Sequence, residues 1–78
     1  MAVYKKIDLV GTSEKSFAEA TRAAVEEAAK TVRGMSWFEV KEQRGAIRDG
    51  EVAEFQVTVS IGFRLEPEEG SRGKKKKG

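Results

Sequence analysis

From Ala53 to Leu65 every second residue is apolar: Ala53, Phe55, Val57, Val59, Ile61, Phe63 and Leu65. Glu54, Gln56, Thr58, Ser60, Gly62 and Arg64 fill the positions between them. Successive side chains leave a strand on opposite faces, so a period of two sustained this long reads as a half-buried strand. Asp49-Gly50 stands just ahead of it. A two-residue hairpin turn that suits the twist of its strands needs positive φ at both central residues, and this dipeptide meets that need. Residues 36–48 therefore fold back as an antiparallel partner. Pro67, which lacks a ladder donor, ends the alternation. Residues 1–66 are read as one domain, and residues 67–78 as a Lys-rich tail with too little apolar content to fold.

Upstream, VYKKIDLV (residues 3–10) reads as a first strand, with Val3, Ile7 and Leu9 on one parity. GTSEKS follows as a turn. Ser16 and Glu19 have the spacing of a capping box, in which each side chain satisfies a backbone N–H of the other. A helix is expected from there to about Arg33, with Phe17, Ala24, Val25, Ala28 and Val32 as its apolar stripe and Gly34 as its left-handed stop. The order strand, helix, strand, strand predicts an α+β fold, a three-stranded antiparallel sheet with one helix on one face. A last strand of about 14 residues spans roughly 45 Å, and a helix of about 18 residues only roughly 27 Å. The helix cannot cover the sheet, and the exposed apolar end and strand edges require another subunit.

A chain of 78 residues without cysteine has no disulfide, thiolate nucleophile or cysteine–zinc site to rely on. The absence of histidine removes the commonest general base and metal ligand. Partners remain as the means of stabilising so small a core. No apolar run is long enough to span a bilayer, so a soluble cytoplasmic protein without membrane contact is expected. The net charge of +2 comes from 15 basic and 13 acidic residues, and four of the basic ones are Lys74 to Lys77. Without these four the balance is −2, which argues against nucleic-acid binding by the folded surface. The tail is a solubilising segment with loose attraction to phosphate.

Trp37, the one tryptophan, shares a parity with Glu39 and Lys41, whereas Phe38 and Val40 take the core parity. Counting back from a two-residue turn, Arg48 opposes Glu51, Trp37 opposes Gly62 and Gln56 opposes Gln43. A glycine opposite Trp37 leaves one face of the indole uncovered by its cross-strand neighbour. Two uses fit such a residue: packing at a subunit interface, or a stacking platform for a flat ligand. Glu39, Glu42 and Glu54 have no visible base or metal partner, and read as solvated or paired with Lys41 and Arg44.

VYKKIDLVGTSEKSF, TVRGMSWFEVKEQRGAI and DGEVAEFQVTVSIGFRLE, taken together and in this order, resemble the dodecin family from about Val3 to Glu66. The resemblance implies a hollow homododecamer that binds flavins (riboflavin, FMN or FAD) in pairs, for storage and photoprotection rather than catalysis. It implies that Trp37 stacks on the isoalloxazine ring and that Gln56 hydrogen-bonds its polar edge. Arg44, Lys5 and Arg64 would lie near the flavin phosphate and Glu42 near the ribityl chain, with no catalytic residue and no metal. By the hairpin register Trp37 and Gln56 are six residues apart, roughly 20 Å of strand, so one flavin held by both would lie between two subunits. A flavin-dependent enzyme, or a nucleic-acid or protein interaction module built on the exposed aromatic and the basic tail, are the alternatives.

Overall fold

The structure is a computed structural model that describes residues 1–65. The domain end at residue 66 and the Lys-rich tail lie outside the described residues. Strand β1 (Val3–Ser13) leads to helix α1 (Phe17–Ala29), then to strands β2 (Met35–Arg48) and β3 (Glu51–Leu65). The three strands form one antiparallel sheet in the order β1-β3-β2. The strand with the long alternation is thus the central one, and the α+β architecture is the one expected.

Three boundaries differ from the sequence reading. β1 continues through Gly11, Thr12 and Ser13, which pair with Val57, Gln56 and Phe55 instead of forming a turn. The helix is 13 residues long and stops at Ala29. There the N–H groups of Lys30 and Thr31 bond the carbonyls three residues back, Glu27 and Ala28, at 3.2 and 3.1 Å. Such bonds tighten and end a helix. Val32, expected inside the helix, lies beyond it yet still packs on the core. Gly34 (φ 76°) is not the helix stop but the turn into β2, where its carbonyl accepts the Arg64 N–H at 3.0 Å. The capping box is half formed. Ser16 Oγ accepts from the Glu19 N–H at 3.0 Å, but the Ser16 N–H is taken by Ser13 Oγ at 3.4 Å.

Ala20, Ala24 and Ala28 of α1 are buried against Val57, Val59 and Ile61 of β3. Phe17 meets Phe55 edge-on, with ring centroids 4.9 Å apart. Ala20, absent from the expected stripe, has no exposed surface. The backbone of β1 passes so near it that a Cβ at Gly11 would run into the Ala20 carbonyl. Glycine on β1 and alanine on α1 let the helix lie close to the sheet. Each buried Val or Ile contributes roughly 1.5–3 kcal/mol, against about 0.8 kcal/mol for a single methylene, so β3 supplies most of the core energy.

The mismatch in length is larger than the sequence suggested. Fifteen residues of β3 extend roughly 50 Å, and the 13-residue helix roughly 20 Å. The uncovered apolar surface lies along β2 and at the hairpin tip, with Phe38 52% and Ile47 76% exposed and Val40 and Val52 beside them.

Asp49 (φ 55°) and Gly50 (φ 78°) form the expected turn, and Arg48–Glu51 and Trp37–Gly62 are paired as expected. Between those pairs the register departs from a straight count. Ala53 is an extra residue on β3 and Lys41 an extra residue on β2, so the two shifts cancel. In the stretch between them Gln56 opposes Arg44, not Gln43.

Replacing Gly11 by Ala is expected to lower unfolding stability by about 1–3 kcal/mol, the usual cost of overpacking, because α1 must lift off the sheet. Urea denaturation at fixed protein concentration measures it as a lower midpoint with an unchanged slope.

Candidate functional site

The face of the sheet turned away from α1 carries the side chains of β3 at even positions, Glu54 to Arg64. On β2 the extra residue Lys41 decides which side chains join them. In a straight strand Trp37 and Glu39 would face one way and Glu42 and Arg44 the other. The bulge reverses the alternation, and Trp37, Glu39, Glu42 and Arg44 stand opposite Gly62, Ser60, Thr58 and Gln56 on one face. β1 adds Tyr4, Lys6 and Asp8, opposite Arg64, Gly62 and Ser60.

Trp37 is held from three directions. Its indole fills the space that a Cβ at Gly62 would occupy. Gly62 is therefore the seat of the ring, not a gap beside it. The Tyr4 ring tilts against it at 55°, with centroids 5.2 Å apart. The indole Nε1–H donates to Glu39 Oε2 at 2.9 Å, and the other oxygen of that carboxylate accepts from Lys6 Nζ at 3.1 Å. Trp37 is still 40% exposed. These contacts hold the Glu39 carboxyl below the ordinary glutamate value, first through the Trp37 N–H and then through Lys6.

Lys41 Nζ reaches Asp8 Oδ2 at 3.4 Å across β3. Lys6–Glu39 and Lys41–Asp8 thus both bridge the outer strands over the central one. Beneath them Ser60 is buried, its hydroxyl near Asp8 but without a hydrogen-bond partner among the described residues. The hydroxyl is still the first cause of the lowered Asp8 pKa, ahead of Lys41 among the stabilising contacts. Exposed ion pairs of this kind contribute only about 0–1 kcal/mol, so their effect is on geometry more than on stability.

A second group lies further along the hairpin. Arg44 and Gln56 are direct cross-strand neighbours, with Glu42 opposite Thr58 beside them. Gln56 Nε2 donates to Glu54 Oε1 at 2.9 Å. Six residues of β3 separate Gln56 from the Trp37 seat at Gly62, roughly 20 Å. One chain therefore brings together Trp37 with Arg64 nearby, and separately Gln56 with Arg44 and Glu42. Lys5 joins neither group, since it opposes Phe63 on the helix side of the sheet. Sequence reasoning missed Tyr4, Lys6 and the pairing of Glu39 with Lys6 and Trp37. Their parity in β1 was readable, but the β1–β3 register was not, because no short turn connects those strands.

The sequence model of the dodecin family matches residues 3–66. The chain belongs to the dodecin family. It is similar to the dodecin of Thermus thermophilus, with 55% identity over 64 residues that cover 82% of this chain and 93% of that protein. It also resembles the solved dodecin of Streptomyces coelicolor, with a TM-score of 0.81, 45% identity, and coverage of 85% of this chain and 94% of that one. The calcium dodecin of Mycobacterium tuberculosis is more distant, 31% identical over 67 residues covering 86% of this chain and 94% of that protein. As in other dodecins, one helix backs a three-stranded antiparallel sheet. Among the described residues of this dodecin, no three His, Cys, Asp or Glu side chains gather into a group that could hold a metal ion. No helix among them is long and apolar enough to cross a membrane.

Gly62→Ala places a methyl group where the indole sits. It is expected to push Trp37 outward and shift the tryptophan emission to longer wavelength, with increased quenching by iodide. An unchanged spectrum would mean that the ring does not rest on Gly62.

Proposed function

We propose that this dodecin stores flavin and protects it from light, binding it between subunits of a closed homo-oligomer without catalysing a reaction. The observation that carries the reading is the indole of Trp37, fixed over Gly62 by Tyr4 and Glu39 yet 40% exposed on the face free of the helix. A rigid aromatic surface held ready is what a flat ligand needs for stacking. When bound, flavin supplies a planar ring with one polar edge and visible-light absorption. Trp37 offers that ring a π face and a nearby electron donor, whose electron can cross and return before photochemistry begins. Gln56 offers an amide to the polar edge. Arg44 beside it, with Arg64 near Trp37, offers guanidinium groups suited to a flavin phosphate, and Glu42 lies within the same group as Gln56. Lys5, on the other side of the sheet, can reach a flavin on this face only from a neighbouring subunit.

The same geometry supports a shared site. Trp37 and Gln56 are too far apart in one chain to hold one ring. Exposed Phe38, Val40, Ile47 and Val52 supply apolar surface for association, and a closed assembly uses every such patch. A dodecamer is the closed form that the family resemblance implies.

Titration with riboflavin tests the reading. Flavin emission is expected to fall strongly on binding, and Trp37→Phe to retain binding while restoring part of the emission. Trp37→Ala should weaken binding by roughly 2 kcal/mol or more, as loss of an aromatic anchor does. Bound flavin as bright as free flavin would exclude stacking on Trp37.

A mixed assembly tests the sharing. Trp37→Ala and Gln56→Ala chains, unfolded and refolded together, should bind more riboflavin than the mean of the two separate proteins, because some sites regain both residues. No gain over that mean would place both residues of a site in one chain.

A further inference from the structure

Glu39 lies two residues from Trp37 on the same face of β2, and the flavin reading gives its charge and its lysine partner no role of their own. Its contacts give it a specific place there. Gly62 and Tyr4 touch the indole through apolar surface, which resists displacement but sets no preferred direction in the ring plane. Among the described residues, the Nε1–H bond to Glu39 is the one directional contact that the indole makes. The carboxylate is exposed and would turn freely if Lys6 did not reach over β3 to hold its second oxygen at 3.1 Å. Charge-assisted bonds on both oxygens give a chain of contacts from β1 through Glu39 to the ring.

We infer that Glu39 is the positioning residue of the Trp37 site: its ionised carboxylate, clamped by Lys6, sets the orientation of the indole, and loss of that charge frees the ring. The orientation is a property of the ligand-free chain, while its value for holding flavin rests on the function proposed above.

The groups facing Glu39 make it possible to isolate its titration. Ser60 opposes it on β3, with Arg64 further along that strand; β1 presents Tyr4, Lys6 and Asp8, and β2 presents Lys41. Lys41 is engaged by Asp8, so each carboxylate has its own lysine. Glu39 in the folded chain titrates below the ordinary 4.5, because Trp37 and Lys6 favour its charged form. The clamp is therefore complete above that ordinary value, and is lost as the pH falls through the lowered one. Asp8 also titrates low, but Glu39→Gln removes only the Glu39 component, leaving no carboxylate to bridge the indole N–H and Lys6.

Because Trp37 is the one tryptophan, its fluorescence reports this ring alone. Anisotropy decay of flavin-free protein is measured from pH 7 to pH 3 for the unaltered chain, Glu39→Gln and Glu39→Ala. The unaltered chain is expected to show little fast local motion at neutral pH and a rise below 4.5. Glu39→Gln should already be mobile at neutral pH, because its uncharged amide cannot accept from both Trp37 and Lys6 through separate oxygens, and should show no further acid rise. Glu39→Ala should be mobile throughout, and should bind riboflavin more weakly on the order of tenfold, as loss of a hydrogen bond to a charged group implies. A Glu39→Ala ring as ordered as that of the unaltered chain overturns the inference, and so does an acid rise that survives in Glu39→Gln. Failure of the unaltered protein to bind riboflavin would defeat the flavin reading alone, since the flavin-free anisotropy still decides the role of Glu39.

Discussion

β3 is hydrogen-bonded on both edges, and each other element takes its position from it. β1 and β2 pair only with this strand within the sheet, and α1 packs its alanines on Val57, Val59 and Ile61. On the reverse side the same strand presents Ser60 and Gly62, small enough for ion pairs and an indole to lie over them. Core and candidate site are therefore interleaved residue by residue along one backbone. Ile61 anchors the helix while Gly62 beside it forms the floor under Trp37. The rigidity that a stacking platform needs comes from a strand that cannot move without breaking two ladders and the core together.

Much of this order is visible in the amino-acid string, and the rest is hidden for identifiable reasons. The alternation of β3, the Asp49-Gly50 turn and the meeting of Trp37 with Gly62 could all be read, because each follows from a local period or a turn of fixed length. The bulges at Lys41 and Ala53 could not, since neither has a glycine or proline to mark it. They offset one another, which is why the Trp37 pairing was right while the partner of Gln56 was not. The helix end was misread because the alanine-rich run continues smoothly into Lys30, Thr31 and Val32. Ala20 was overlooked because its contribution is closeness of approach more than apolar area. Tyr4 and Lys6 became neighbours of Trp37 only once β1, separated from β3 by a helix and a hairpin, found its register.

In the proposed function, association and binding are linked by the same economy of size. Thirteen helical residues cannot hide a sheet more than twice their length, so apolar side chains are left along β2 and around the hairpin tip. The aromatic and the amide that suit one flat ligand are left at separate stations of that sheet. Contact between chains that covers the first deficit also has the opportunity to repair the second. Stability and ligand capture then need not evolve as independent properties.

The bulge at Lys41 has a consequence for how such a chain can vary. Exchanging one side chain on β2 changes one contact. Deleting the Lys41 codon would instead restore plain alternation, because Glu42 would then follow Val40 directly. Glu42 and Arg44 would stay on the face of Trp37, and the ion pair of Lys41 with Asp8 would be lost. The extra residue can therefore be lost without turning the surface over, and among descendants of this chain its removal should cost one ion pair between the outer strands and not the face that carries Trp37.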